Sequence, residues 1–258
     1  MITNNLIRDC PITPADLKRA MNIYGKDFAS IKGKTKRLNP KHITTPTLMN
    51  LPDHIIKWHV NVTICIDIFY INKMPFFHTI SRKLQFRTAE FIESESLEVL
   101  STCLRKVIDK YKNRGFSVDF VHGDKQFQCL KEDMAPVKIQ IASKGENLSE
   151  VKRSIQTIKG DIQILYHALP FKKYPPLVIK EMLEHQANIR NRFPGRNGVS
   201  STMGPYTIMT GLPQPSYSDF KLEFGQYVQV HNHPSKTNDM RAKTTPVIAL
   251  KSLGSQNG

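Results

Sequence analysis

The stretch Val60-Asn61-Val62-Thr63-Ile64-Cys65-Ile66-Asp67-Ile68-Phe69-Tyr70-Ile71 organises the reading of the chain. A run so rich in β-branched and aromatic residues reads as a strand buried on both faces. Asp67 interrupts it between two isoleucines. A bare carboxylate there costs several kcal/mol unless it is paired or metal-bound, so it is either a functional acid, an acid on a solvent face, or one neutralised by a nearby lysine.

Working outward, Met74–Ile80 and Leu84–Thr88 are short, turn-bounded runs that predict two further strands in a meander. A helix follows, with Ser96 as its cap, a stripe of Leu97, Leu100, Leu104, Val107, Ile108 and Tyr111, and Gly115 as its stop. Phe116–Val121 predicts a fourth strand that runs into Gly123-Asp124, and Val137–Ala142 a fifth. Leu148, Val151, Ile155, Ile158, Ile162, Leu165 and Leu169 alternate steps of three and four, which is a helix. Another helix starts at Pro175-Pro176 and runs to about Arg192. The order βββαβ, then β and helices, is that of an RNase H-like domain: an α/β fold with a mixed five-stranded sheet flanked by helices.

The flanks differ from this core. Residues 1–55 predict a small helical lead-in, where Thr13-Pro14-Ala15-Asp16 carries a hydroxyl cap, an N1 proline and a first-turn acid. Leu17, Met21 and Tyr24 share a face of that helix and Gly25 ends it. Gly33-Lys34-Thr35-Lys36-Arg37 reads as a basic linker loop. Residues 56–205 form the core, and 206–258 a β-rich tail in which Phe224–His231 and Pro246–Leu250 are strand-like.

Bulk properties narrow the function. With 37 Lys and Arg against 22 Asp and Glu, the formal charge is +15, which favours a polyanionic partner. The apolar share, 40%, is enough for a core. Cys10, Cys65, Cys103 and Cys129 are scattered without a CxxC pair, and no secretory leader is evident, so a reducing, intracellular setting is expected. The apolar runs are too short to span a membrane, so none is expected as a partner. His54 and His59 are five apart with no paired cysteines after them, so no zinc is expected. Trp58, the one tryptophan, reads as a packing residue at a domain junction.

Three segments together resemble the integrase region of a copia-type LTR retrotransposon. Cys65–Asn72 with Pro75-Phe76 and Thr79–Arg82 is similar to its first catalytic-aspartate segment. Arg114-Gly115-Phe116 through Gly123–Phe127 is similar to the second. Ser149–Lys159 with Leu169-Pro170-Phe171 is similar to the third. Phe224–His231 resembles the stretch after such a core, and Cys10–Gly25 with Lys32–Thr35 the segment before it.

The resemblance implies Mg²⁺- or Mn²⁺-dependent DNA integration, with two ions about 3.5–4 Å apart held by carboxylates. It implies DNA partners (element ends and target), self-association as a further option, a nuclear site of action, and origin within a larger Gag-Pol polyprotein. Asp67 and Asp124 are the expected catalytic and metal-holding acids. The family's glutamate before an arginine is replaced here by Lys152-Arg153, which suggests a degenerate copy. Glu150 is the substitute third catalytic acid, although two residues along a helix is about 200° of rotation. Lys152, Gln156 and Lys159 on one flank of that helix, and Arg190, Arg192 and Arg196 after it, are the expected DNA-contacting groups. The alternatives are a catalytically dead DNA-binding relic and an RNase H-like module for protein interaction.

Overall fold

The computed structural model describes residues 11–34, 47–143, 148–232 and 240–251. β1 (Asn61–Ile71) and β2 (Met74–Ser81) are antiparallel, joined by Asn72 and Lys73, both left-handed with φ of 48° and 65°. Two consecutive positive-φ residues match the right-handed twist of the strands that they connect. β3 (Arg87–Phe91) pairs with β2, after which α4 (Leu97–Asn113) crosses back to β4 (Ser117–Gly123), parallel to β1. β5 (Lys138–Ile141) adds in parallel at the far edge. The sheet order β3-β2-β1-β4-β5 is the RNase H-like arrangement expected from the sequence.

Two apolar clusters divide the faces of this sheet. Ile64, Ile66, Val118 and Val121 pack with Leu100, Leu104, Val107 and Tyr111 of α4 on one side. Cys65, Phe69, Phe76 and Ile80 pack on the other with Val151, Ile155, Ile158 and Ile162 of α6 (Ser149–Ala168), and with Met182 and Leu183 of α7 (Pro176–Arg192). β1 therefore has helices on both sides, which is why its sequence is almost continuously apolar.

Several local expectations shift. The third strand begins at Arg87, three residues later than Leu84. Ser81 closes a turn there, taking Phe86 O at its amide (3.1 Å) and the Phe86 amide at its hydroxyl (3.1 Å), with Gln85 left-handed at φ 55°. Ser96 occupies the cap position of α4, but its hydroxyl accepts from Ser94 Oγ and caps no helical amide. Trp58 lies in α3 (Asp53–His59) and is 72% exposed, with the Lys57 ammonium over its ring, so it is not a packing residue. Ile55, not Trp58, is the side chain by which this short helix enters the core.

The described residues cluster into two compact units. One holds α1 (Pro14–Tyr24), α2 (Phe28–Lys34) and the antiparallel pair β6 (Tyr227–His231) and β7 (Thr244–Ile248). α1 opens on a full capping box, in which the Thr13 hydroxyl accepts the Asp16 amide and Asp16 accepts the Thr13 amide. Gly33 and Lys34 close α2 rather than forming a loop, while Cys10 and Thr35–Arg37 lie outside the described residues. The other unit holds the five-stranded sheet with α3 to α7, including the short α5 (Leu130–Asp133), and α8 (Pro205–Thr210).

Gly123 is a steric requirement at the end of β4. A Cβ there would sit 2.7 Å from Phe127 Cδ2 and 3.0 Å from Ile66 Cγ1. Both neighbours are fully buried core residues, so neither yields easily. Gly123→Ala is expected to cost about 1–3 kcal/mol by overpacking, read as a lower urea midpoint at unchanged slope.

Candidate nucleic-acid interface

The parallel register of β1 and β4 pairs Cys65 with His122. Two residues further along, it sets Asp67 beside Asp124 on neighbouring strands, which lie about 4.8 Å apart. Both acids share the sheet face with Cys65 and Phe69, on the side that α6 packs against. The two acids, 57 positions apart in the chain, lie near enough for the charge of Asp124 to act on Asp67.

Asp67 is half-buried, and one carboxylate oxygen accepts the Ile68 amide at 2.8 Å. Burial raises its pKa, and the charge of Asp124 adds to the rise, while that amide, Lys152 and Lys159 pull it down. Both lysines therefore direct positive charge at the acid. They are seven residues apart, two helical turns, on one edge of α6. Lys159 also lies 5.3 Å above the Phe69 ring.

Glu150 is engaged elsewhere. Its carboxylate takes Arg82 Nε at 2.8 Å and the Cys65 thiol at 3.5 Å. The pair is about half exposed, so it contributes at most about 1 kcal/mol. Burial pushes the Cys65 thiol up to about 11, which keeps it protonated as a donor.

This donor set does not fit a two-ion centre. Two divalent cations need several anionic oxygens, and α6 presents ammonium groups to Asp67 instead of a third carboxylate. Among the described residues, no group of three or more His, Cys, Asp or Glu is arranged to hold a metal ion.

The remaining predicted contacts differ in availability. Gln156 is exposed between the two lysines on the same edge of α6. Arg190 is held by Asp161 through two bonds of 2.7 and 2.6 Å. Arg192 lies over Tyr206 and Phe220, with Asp219 at 3.7 Å. Arg196 is exposed. The arginines do not form one open patch, because two of them already have internal partners.

A buried polar network beneath α6 went unrecognised in the sequence. His78 lies across from Asp67 in the β1–β2 register, is fully buried, and meets Ser154 Oγ at 2.9 Å. Arg87 Nε donates to the same hydroxyl at 3.2 Å. Asn191 of α7 then brackets the Arg87 backbone, accepting its amide at 2.9 Å and donating to its carbonyl at 2.7 Å. The available signal was Ser154 within the apolar stripe of α6 and His78 within an apolar strand.

No protein-family model and no curated protein matches the chain. Among solved structures, the catalytic core domain of BIV integrase in crystal form I is similar, with a TM-score of 0.41 and 15% identity, over 57% of this chain and 92% of that one. No described helix is long and apolar enough to cross a membrane.

His78 gives this region a pH signature. Burial pushes its pKa from 6.5 down to about 3, so the folded state holds the ring neutral. The unfolded chain binds that proton first, so this contribution to stability is complete above about pH 6.5 and is lost as pH falls toward 3. By pH 5 the loss is about 2 kcal/mol. Asp67, with its raised pKa, acts in the opposite direction. Urea unfolding between pH 7 and 5 should therefore show a steeper pH dependence for wild type than for His78→Gln; equal slopes would refute the assignment.

Proposed function

We propose that the chain is an integrase-like nucleic-acid-binding domain whose lysines stand where a two-metal enzyme keeps its third carboxylate. It holds DNA by phosphate contacts and does not carry out strand transfer. The observation that carries this reading is the double displacement at α6: Lys152 and Lys159 act on Asp67, and Glu150 is turned to Arg82.

The physical reasoning is one of charge. In a two-metal site the cations balance both the protein acids and the incoming phosphates. Here ammonium groups, permanently attached, balance the acids from the protein side. They offer hydrogen-bond donors to a phosphate, but neither polarise it as a divalent ion does nor activate a water. The +15 charge of the chain supplies the general attraction, and the edge formed by Lys152, Gln156 and Lys159 supplies a local one. Descent from a copia-type element accounts for the order of the three motifs and belongs to the same proposal.

Binding to a 25-base-pair duplex, followed by fluorescence anisotropy, should be equally tight in EDTA and in Mg²⁺. Each of Lys152→Gln and Lys159→Gln should reduce the slope of log K against log salt by about 1. Strand-transfer assays with Mg²⁺ or Mn²⁺ should show no product from wild type. Metal-dependent joining that disappears in Asp67→Asn would overturn the inactive reading. Absence of salt-dependent binding would overturn the nucleic-acid reading and leave protein interaction as the surviving alternative.

A further inference from the structure

On the α6 side of the sheet, α6 packs across β1 and β2, and α7 along β3. α4 and α5 approach β4 and β5 from the opposite side. Beside α6 the outer part of the sheet forms the floor of a cleft of about 650 Å³. Arg82, His122, Lys131 and Gln140 line it, with Ala142 and Leu148 as its apolar margin.

The lining follows from register. Cys65, His122 and Gln140 form one row across β1, β4 and β5. Arg82 stands at the inner end of that row, bonded to Glu150, and Lys131 of α5 stands at the outer edge. Two permanent cations, an imidazole and a carboxamide thus converge on one cleft, and its described lining residues include no carboxylate. Two acids lie close by. Glu150 is paired with Arg82, and Asp124 lies two residues beyond His122 along the chain, about 6–7 Å further on. The alternation of β5 leaves Gln140 exposed, while Ile139, buried against the α4 side, and Ile141 are the apolar part of the lining at this edge of the sheet.

We infer that this cleft is a phosphate-binding site, distinct from the lysine edge of α6, and that it takes a backbone phosphate of a bound nucleic acid. The ownership of that phosphate rests on the nucleic-acid reading above; the anion chemistry of the cleft does not. Arg82 is the adaptable group. Its pair with Glu150 uses Nε and its guanidinium also meets the Cys65 thiol; the planar fork donates to a phosphate in exchange for the Cys65 contact, without rotation of the whole side chain. Lys131 closes on the anion from the opposite wall as a mobile point charge. His122 and Gln140, fixed on neighbouring strands, supply directional contacts from the floor.

The test uses the full chain. Inorganic phosphate titrated into the protein should shift the NMR resonances of the His122 ring and the Gln140 carboxamide, and sulfate at equal ionic strength should compete. In the duplex-binding assay, Lys131→Gln alone should lower the salt slope by up to about 1, and Arg82→Gln with Lys131→Gln should weaken binding at 0.1 M salt by roughly tenfold. Lys112→Gln, on α4 across the sheet, serves as the control and should change neither. Lys131 is exposed, so its variant keeps the test valid if the Arg82 variant folds poorly. Wild-type DNA binding with an unchanged slope in Lys131→Gln, and with no response of His122 or Gln140 to phosphate, would overturn the cleft assignment and leave the α6 reading intact. Phosphate-induced shifts without any DNA binding would do the reverse, keeping the anion site and removing the nucleic acid as its owner.

Discussion

The parallel pairing of β1 with β4 is the contact on which the candidate site rests. It sets two acids, from the middle of one strand and just past the end of another, next to each other with like charges facing the same side. Carboxylates so placed need cations, since burial and mutual repulsion both penalise their ionised forms. The same register aligns Cys65, His122 and Gln140 one pleat away, so the floor of the neighbouring cleft follows from the same hydrogen-bonded ladder. A slip of β4 by one residue against β1 would turn Asp124 toward the α4 side and part the two acids.

The identity of the neutralising cation then decides the chemistry. The charges of Lys152 and Lys159 act on Asp67 from a helix that is anchored to the sheet by Val151, Ile155 and Ile158. They sit two turns apart on one edge of the helix, and Gln156 lies between them. Glu150, two residues before Lys152, falls on the other side of the helix and pairs with Arg82. A single rotation of α6 could not bring Glu150 to Asp67 without pulling the apolar stripe off the sheet. The buried face of the helix therefore keeps Glu150 with Arg82 and the two lysines on the flank whose charge acts on Asp67.

Much of the architecture was legible because it rests on periodicity. The near-continuous apolar run of β1 signals burial on both faces, the three-four spacing along α6 signals an amphipathic helix, and Asp67 stands out against its neighbours. The start of β3 was not legible, because Leu84 and Phe86 are apolar for a different reason: they are buried inside a turn that Ser81 closes. Trp58 misled because size suggests burial, whereas its place on a short helix leaves it in solvent. Arg82 carried no local pattern at all; its importance comes from Glu150 and His122, which are distant in sequence and adjacent only after the sheet forms. The internal pairing of Arg190 and Arg192 was hidden likewise, since Asp161 and Asp219 lie on other elements.

The buried network below α6 explains how the lysine edge keeps its position. A helix held only by apolar contacts can slide along a sheet at modest cost, because dispersion is not directional. Ser154 removes that freedom: its hydroxyl is shared by His78 from β2 and Arg87 from β3. Arg87 is in turn fixed through its own backbone by Asn191 of α7. Two strands thus converge on one hydroxyl of α6, two positions beyond Lys152 and five before Lys159. Such a network carries high stakes, since any member left unpaired inside the core carries its full desolvation penalty. This inner fastening fixes the register of α6 on the sheet, and with it the edge that carries Lys152, Gln156 and Lys159. The position of that edge is therefore set by directional bonds inside the core and not by apolar contacts alone.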